Sequence, residues 1–181
     1  LVVFGRATGM HIQSELKSGG GVSSASKSDI DQSLERLNKL NESTNGFDTA
    51  DVKKELQECM QNYFGVFRRG EFMEKGLEQL SELKEKVDNL HLKDKSDAFN
   101  TSRVEAIELQ NLFEVAESTA ISAFQRNESR GAHARDDFPD RDDENWLCHT
   151  IFDPISKEVS KRDVNFKPHK VDAFPPKVRT Y

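Results

Sequence analysis

Apolar residues recur every three or four positions over residues 30–124, the spacing that lines one buried face of a helix. Short turn signals such as Asn45-Gly46 separate four such stripes, and short connections favour antiparallel neighbours. The pattern predicts a mainly α fold, an antiparallel helical bundle of about three long helices plus flanking helices. The stripes are Ile30, Leu34, Leu37 and Leu40; Val52, Leu56, Cys59 or Met60, Tyr63 and Phe67; Phe72, Met73, Leu77, Leu80, Leu83, Val87 and Leu90; and Val104, Ile107, Leu112, Val115, Ala116, Thr119, Ala120, Ala123 and Phe124.

Polar residues mark where these helices begin. Ser28-Asp29, Asp48 or Thr49, and Asn100 or Thr101 can each supply a side-chain oxygen to the free N–H groups of a first helical turn. The helix that carries Val52 is expected to end near residues 68–70, where two arginines precede a glycine.

The first 22 residues form a separate segment. Residues 1–17 are patterned as a helix, and the glycine run at residues 19–21 ends it. No strand precedes this run and no G-x-G-x-x-G spacing is present, so a linker is favoured over a phosphate cradle. Because the chain opens on an apolar segment with no initiator Met, we expect a fragment of a larger protein whose residues 1–22 are the end of another domain's helix and a linker.

The pattern changes to β after Trp146. Residues 146–152 are β-rich, Asp153-Pro154 ends them, and residues 158–166 can pair back as a hairpin. Two prolines, Pro175 and Pro176, exclude a helix near the C-terminus, so an extended tail is expected. The predicted organisation is therefore 1–22 helix end and linker, 23–128 helical bundle domain, and 129–181 charged loop, β-hairpin and extended tail.

Composition narrows the class of partner. The chain has 181 residues, a net charge of −6 and a pI near 5.4, which disfavours nonspecific binding to nucleic acid or to an anionic membrane. No apolar run is long enough to cross a bilayer. Cys59 and Cys148 lack metal-ligand spacing, and buried free thiols in a reducing compartment are expected.

Candidate chemistry concentrates in residues 127–146, which we call the charged loop. His133 among arginines can serve as a general acid or base, and the acidic run can bind a cation, but Asp-x-Asp-x-Asp-Gly and HExxH spacings are absent. Because each acid has an arginine nearby, an ion-pair network that fixes the loop against a partner domain is the simpler interpretation. No catalytic, cofactor-binding or metal-ligating residue is predicted in this chain.

Two motifs closely resemble one enzyme family. The run SRGAHARDDFPDRDDENW at residues 129–146 and the ending FPPKVRTY at residues 174–181 are similar to the C-terminal region of the succinate dehydrogenase and fumarate reductase flavoprotein family. The opening LVVFGRA, ECMQ at residues 58–61 and GLEQL at residues 76–80 resemble it too, so the likeness covers essentially the whole chain. SRGAH alone is shared with fumarate reductases and more loosely with L-aspartate oxidase; the longer run and the RTY ending favour succinate dehydrogenase.

The resemblance implies an activity for a parent protein and not for this segment. Such a parent oxidises succinate to fumarate in the TCA cycle with covalently bound FAD and passes electrons to an iron-sulfur subunit and, through membrane anchors, to quinone. The family's flavin- and substrate-binding motifs match no position here, so this chain is expected to be non-catalytic, to carry no FAD itself and to pack on its own N-terminal flavin domain.

The resemblance also implies partners and a location. The iron-sulfur subunit, indirectly the membrane anchors, and a flavinylation assembly factor are expected, with no nucleic acid. The location is the cytoplasmic face of a bacterial inner membrane, which is favoured, or the mitochondrial matrix face. The alternative is a standalone helical adaptor that binds a partner through the charged loop, and a metal-dependent hydrolase is a weaker one. Interdomain or partner contacts are expected at Arg130, His133, Arg135, Asp137, Arg141, Asp143, Arg179 and Tyr181.

Overall fold

A computed structural model of the chain describes residues 2–21, 23–170 and 172–177, which form five helices and two small two-stranded sheets. By their internal contacts the residues divide into two units, Leu1–Lys39 and Leu40–Tyr181. The mainly α class predicted from the apolar stripes is confirmed, as is the short β-hairpin that follows the helices.

The first unit is helical. Helix α1, Val2–Lys17, confirms the helix predicted there, and none of its side chains is buried. Helix α2, Lys27–Glu42, continues into the second unit and begins one residue before the predicted Ser28-Asp29 signal. The Oγ of Ser26 accepts a hydrogen bond from the N–H of Asp29 at 3.1 Å, and the Asp29 carboxylate accepts from the N–H of Ser26 at 3.2 Å. This reciprocal capping box fixes the helix start.

The second unit is built on three helices that pack against one another: α3, Thr49–Phe64, α4, Gly70–Asp88, and α5, Thr101–Gln125. The predicted caps are confirmed, because the Asp48 carboxylate accepts from the N–H of Ala50 at 2.9 Å and the Asn100 side chain accepts from the N–H of Arg103 at 2.8 Å. Their buried side chains form one core together with Leu40 of α2 and Leu90 and Leu92, which follow α4. The helices contribute Val52, Leu56, Cys59, Phe64, Met73, Leu80, Leu83, Val87, Ala106, Leu109, Phe113, Ala116, Ala120 and Ala123.

Helix α5 buries the face expected only in part: Ala116, Ala120 and Ala123 are buried as predicted, whereas other predicted positions are not. Val104, Leu112 and Val115 were predicted to be core positions, but all three are exposed, Val115 to 62%. The buried face instead runs through Ala106, Leu109, Phe113, Ala116, Ala120 and Ala123, which recur at helical spacing. Small side chains dominate this face, so the neighbouring helices approach α5 closely, while the bulkier Val and Leu side chains point outward.

Helix α3 ends earlier than predicted. It stops at Phe64, and residues 67–68 form strand β1, Phe67–Arg68, where the sequence pattern suggested helix to residues 68–70. The expected core residue Phe67 is 77% exposed, and Phe64 is buried in its place. The Phe64 ring lies against Gly76 of α4, where a Cβ would approach the ring Cζ to 2.8 Å. Only glycine leaves room for the ring at this crossing.

Two small sheets complete the second unit. Strand β1 pairs in parallel with β2, Ala134–Arg135, aligning Phe67 with Ala134 and Arg68 with Arg135. Strand β3, Cys148–Phe152, pairs antiparallel with β4, Val159–Asp163, which confirms the predicted hairpin. The predicted hairpin residues Val164 and Phe166 lie beyond β4. Residues 172–177 have no regular structure, and the predicted tail residues 178–181 lie outside the described residues.

The two thiols differ in environment. Both cysteines are free; Cys59 is buried in α3, and Cys148 is half-buried at the start of β3. Burial raises the pKa of the Cys59 thiol to about 11, so this side chain is a neutral member of the core. A search of the described helices finds none that combines the length and apolarity needed to cross a membrane.

Candidate functional site

The charged loop joins the ends of three helices. At the C-terminal end of α3, the Nε of Arg68 donates to the carbonyl oxygens of Phe64 at 3.2 Å and Gly65 at 3.1 Å. At the C-terminal end of α5, the Nη1 of Arg135 donates to the carbonyl of Phe124 at 3.0 Å. At the N-terminal end of α4, Asp137 accepts from the N–H of Gly70 at 2.8 Å. Cations therefore lie at helix C-termini and an anion at a helix N-terminus, as the helix dipoles favour.

Arg135 and Asp137 connect two of these helix ends. The Nε and Nη2 atoms of Arg135 donate to the two carboxylate oxygens of Asp137, each at 2.8 Å. The Arg135 side chain is only 2% exposed. Its guanidinium group stacks on the Phe138 ring, with 4.9 Å between the guanidinium carbon and the ring centroid. Hydrogen bonds from Arg135 hold the pKa of Asp137 far below its usual range, and the Gly70 N–H acts in the same direction, although partial burial opposes them.

Glu128 is the buried centre of a second ion-pair group. Its side chain is 0% exposed and accepts hydrogen bonds from the Nε of Arg126 at 2.9 Å and the Nε of Arg130 at 2.8 Å. The backbone N–H of Asp142 donates to the second carboxylate oxygen at 2.9 Å. Burial disfavours the charged form of Glu128, but the hydrogen bonds from Arg130, Asp142 and Arg126 outweigh it, so its pKa is lowered.

The group extends outward from Glu128 to the surface. Arg130 also donates to Asp143 at 2.7 Å, and Asp143 accepts from Arg141 at 2.8 Å. Arg141 in turn donates to the carbonyl oxygen of Lys177 at 3.0 Å, so the network reaches the C-terminal tail. Charges of opposite sign alternate along Arg126, Glu128, Arg130, Asp143 and Arg141. Each buried charge is therefore compensated within the loop.

Arg126 joins this network to the hairpin. Its Nη1 donates to the hydroxyl of Thr150 at 2.8 Å and to the carbonyl oxygen of Cys148 at 3.2 Å. The Trp146 ring lies 5.4 Å from the Arg126 guanidinium, and the ammonium group of Lys161 in β4 lies 3.6 Å from the ring centroid. The end of α5, the loop and the hairpin are thus held together around one arginine.

His133 lies between two of the helix ends with a defined tautomer. Its Nδ1 lies 2.8 Å from the Nη1 of Arg68, which can only donate, so Nδ1 accepts. Its Nε2 lies 3.0 Å from the carbonyl oxygen of Arg126, so Nε2 carries the hydrogen. The pKa of His133 is lowered mainly by burial; the charges of Arg68, Arg135 and Arg126 add to this, while the Arg126 carbonyl opposes it.

A pH prediction follows from this neutral imidazole. Because the folded-state pKa of His133 is below its unfolded value, about 6.5, the unfolded chain takes up the proton first as the pH falls. The stability that neutral His133 contributes is complete above that value and is lost below it. We expect the unfolding free energy of wild type to fall more steeply than that of His133→Asn between pH ~7 and ~5. The measurement is urea unfolding followed by circular dichroism.

Asn is suitable at position 133 because its amide oxygen can accept from Arg68 without titrating. The matched control is His149→Asn, which removes an exposed histidine on β3 and should keep the wild-type slope. Equal slopes for wild type and His133→Asn would contradict the neutral tautomer.

The structure brings most of the predicted contact residues into two groups. Arg130, Asp143 and Arg141 belong to the network around Glu128, and Arg135 pairs with Asp137. His133 lies between them, and Arg179 and Tyr181 lie outside the described residues. Sequence reasoning missed three members: Arg68, Arg126 and Glu128. The alternation of charges at residues 126, 128 and 130 was the available signal for two of them.

No group of three or more His, Cys, Asp or Glu side chains that could hold a metal ion occurs within residues 2–21, 23–170 and 172–177. Every acid of the network is already paired with an arginine or a backbone N–H. One open cleft of about 530 Å³ lies beside the Arg135–Asp137 pair, lined by Gly70, Glu74 and Phe138 among others. The arrangement fixes helix ends and presents Arg141 and Asp143 on the surface.

Comparison with known proteins gives consistent matches over the whole chain. The sequence model of the family described as "Fumarate reductase flavoprotein C-term" matches residues 53–181. The chain is 45% identical over 179 residues to the succinate dehydrogenase flavoprotein subunit of Coxiella burnetii, covering 99% of this chain and 30% of that protein. It is 31% identical over 182 residues to the fumarate reductase flavoprotein subunit of Haemophilus influenzae, covering 100% of this chain and 30% of that protein.

The fold is shared with solved structures. A structure described as quinol-fumarate reductase with menaquinol molecules matches with a TM-score of 0.82 at 32% identity, covering 97% of this chain and 31% of that chain. The chain therefore spans about 30% of the length of the relatives that it matches.

Proposed function

Because the chain belongs to the family of C-terminal domains of fumarate reductase flavoproteins, we propose that it is the C-terminal helical domain of a succinate dehydrogenase flavoprotein subunit. The observation that carries this proposal is the 45% identity over 99% of the chain to a succinate dehydrogenase subunit. The fumarate reductase relative of equal coverage is only 31% identical, which favours succinate oxidation over fumarate reduction as the physiological direction.

The proposed activity belongs to the whole protein. When bound there, covalent FAD supplies the hydride-accepting chemistry that converts succinate to fumarate, and electrons pass to an iron-sulfur subunit and quinone. The described residues do not fit FAD by themselves: the glycine run at residues 19–21 follows α1, and no strand precedes it as a dinucleotide cradle requires. We therefore assign flavin binding to the remainder of the whole protein and a non-catalytic role to this domain.

The domain's own role is to present a rigid contact surface to the flavin domain. Arg141 and Asp143 are partly exposed members of the charged loop, and Arg130 holds Asp143 in position from the buried side. Arg135, Asp137 and His133 fix the rest of the loop to the helix ends. Pre-organised ion pairs lower the entropic cost of docking because the side chains are already ordered. In this proposal residues 1–22 belong to the flavin domain's last helix and linker, 23–128 to the bundle, and 129–181 to the docking segment.

Further partners follow from the same assignment. The iron-sulfur subunit is a direct partner of the flavoprotein subunit, and the membrane anchor subunits are indirect partners. The assembly lies at the cytoplasmic face of a bacterial inner membrane, which is favoured, or at the mitochondrial matrix face. The flavinylation assembly factor is proposed to depend on the tail that carries Arg179 and Tyr181. The bacterial location is supported by the Coxiella burnetii relative, a bacterial succinate dehydrogenase flavoprotein subunit.

The test is complementation in trans. The Coxiella burnetii subunit is truncated before the region that matches this chain and co-expressed with the chain as a separate polypeptide. We expect the two to co-purify and to restore succinate-dependent dye reduction, whereas the chain alone shows neither flavin absorbance nor activity.

Two variants distinguish docking through the loop from nonspecific association. The double variant Arg141→Ser/Asp143→Ser removes one positive and one negative charge from the proposed surface and should weaken co-purification. The control Lys54→Ser/Glu58→Ser removes an exposed pair from α3 and should not. Flavin or activity in the isolated chain, or failure of the wild-type pair to associate, would overturn the proposed function.

A further inference from the structure

A second open cleft, with a volume of about 460 Å³, is lined by residues from α5, β1, the charged loop and β3. Its wall carries no carboxylate, although acids outnumber bases 32 to 26 in the chain. The polar side chains that line it include Arg68, Ser118, Ser122, Arg126, His133 and Thr150. This surface is therefore positively charged and rich in hydroxyl groups on an acidic protein.

Arg68 is the uncompensated charge of the cleft. Arg126 pairs with Glu128, and Arg135 pairs with Asp137, but no carboxylate of the described residues lies within 4.0 Å of the Arg68 side chain. The Nε and Nη1 atoms of Arg68 donate to backbone carbonyls and to His133, whereas its Nη2 has no partner in the described part of the chain. Burial lowers the pKa of Arg68, and the charge of Arg135 adds to this effect. A half-buried guanidinium in such surroundings is stabilised by a nearby anion.

The hydroxyl groups supply further donors. The Thr150 hydroxyl accepts from Arg126 at 2.8 Å, which leaves its own hydrogen available. The Ser122 hydroxyl makes no hydrogen bond to any residue that the structure describes, and it lies on the cleft wall. His133 is held as an acceptor toward Arg68 and therefore fixes the orientation of the guanidinium.

We propose that this cleft, which we call the Arg68 cleft, binds one oxyanion, a carboxylate or a phosphoryl group, through Arg68 with Ser122 and Thr150 as additional donors. The Nη2 of Arg68 can donate a charge-assisted hydrogen bond to an oxygen of either group. Such a group has two possible sources, a free small anion or an acidic side chain of a protein that covers the cleft. The binding rests on Arg68 and the hydroxyls, so it holds independently of the flavin chemistry proposed for the whole protein.

The first test uses the 181-residue chain in isolation. Sodium phosphate and, separately, sodium acetate are added while sodium chloride keeps the ionic strength constant, and NMR follows the Nε–H of Arg68 and the amides of Ser122 and Thr150. We expect saturable shifts confined to the cleft. Arg68→Gln should weaken binding about tenfold, which corresponds to about 1.4 kcal/mol.

Matched variants separate the site from general charge. Arg69→Gln removes the same charge from the adjacent residue, an exposed arginine that pairs with Glu71 at 3.5 Å, and should leave binding unchanged. Because Arg68 also caps α3, Ser122→Ala provides a second variant that leaves that cap intact and should weaken binding about threefold. Absence of saturable shifts, an equal loss in Arg69→Gln, or full affinity in Ser122→Ala and Arg68→Gln would overturn the proposal.

The second test identifies the source of the oxyanion in the full-length subunit. A phosphate-dependent rise in the thermal unfolding midpoint of wild type, absent in Arg68→Gln, supports a free anion. No phosphate effect supports a carboxylate from the covering protein if the drop in the midpoint of Arg68→Gln relative to Arg69→Gln is larger in the full-length subunit than in the 181-residue chain, where only the α3 cap is lost. Indistinguishable midpoints for the two variants, with and without phosphate, would overturn the proposal.

Discussion

Glu128→Gln should destabilise the second unit by about 3–5 kcal/mol, because it removes the negative charge from a buried site that two arginines share. Glu128 is fully buried, and Arg126 and Arg130 both donate to it within 3.0 Å. A glutamine of the same shape keeps one acceptor oxygen but presents an NH₂ group to a guanidinium, and two cations are left facing each other. The measurement is equilibrium urea unfolding followed by helical circular dichroism.

The matched control is Glu144→Gln, which makes the same chemical change at an exposed position of the same loop. Its effect should lie within about 0.5 kcal/mol of wild type. If Glu128→Gln is no more destabilising than this control, Glu128 is solvated in solution and does not form the buried centre of the network.

Arg135→Met should lower the free energy of unfolding by a comparable amount, about 3 kcal/mol or more. The substitution removes the charge partner of Asp137 and the donor to the last carbonyls of α5. The Arg135 guanidinium donates to the carbonyl oxygens of Ala123, Phe124 and Arg126 as well as to the Asp137 carboxylate. Methionine retains much of the packing volume, so the loss is electrostatic. Arg135→Lys keeps the charge but loses the planar guanidinium that bonds both oxygens of Asp137. Its free energy of unfolding should lie between those of wild type and Arg135→Met.

Acid unfolding gives an independent readout of the same pair. The folded-state pKa of Asp137 is depressed, so the stability from its ionisation is complete above the unfolded carboxyl pKa of about 3.9 and is lost as the pH falls below it. Arg135→Met should therefore lose less stability than wild type between pH ~4 and ~2. Arg69→Met, at an exposed arginine that pairs with Glu71 outside both networks, should change stability by about 1 kcal/mol or less and retain the wild-type acid dependence. Equal acid dependence in wild type and Arg135→Met would contradict the assigned pairing.

Features set by neighbouring residues could be predicted from the sequence. The caps at Asp48 and Asn100 were identified because a side-chain oxygen accepts from an N–H two or three residues later. The hairpin was identified because its β-rich residues and its Asp153-Pro154 turn signal are local. The face of α5 was assigned correctly only in part: the alanines at 116, 120 and 123 were predicted to be buried and are, but the bulky side chains at 104, 112 and 115 were also placed in the core and are exposed.

Features set by distant pairing could not be predicted in this way. Strand β1 exists only because residues 67–68 pair with residues 134–135, and two residues carry no periodicity of their own. Arg68 contacts His133 across a sequence separation of 65 residues, so nothing near Arg68 indicated its role. Within the charged loop the residue types showed that ion pairs would form, but the burial of Glu128 depends on how α5, the loop and the hairpin come together.

The joining of three helix ends by one loop also has a consequence for folding order. The contact of Arg68 with His133, the bond from Arg135 to Phe124 and the bond from Gly70 to Asp137 form only after α3, α4 and α5 have packed, so the loop should close after the rate-limiting step. Interactions formed that late slow unfolding without speeding folding. The ion pairs of the charged loop therefore set the unfolding rate of the packed helices. Glu128→Gln should raise the unfolding limb of a chevron plot and leave the folding limb nearly unchanged.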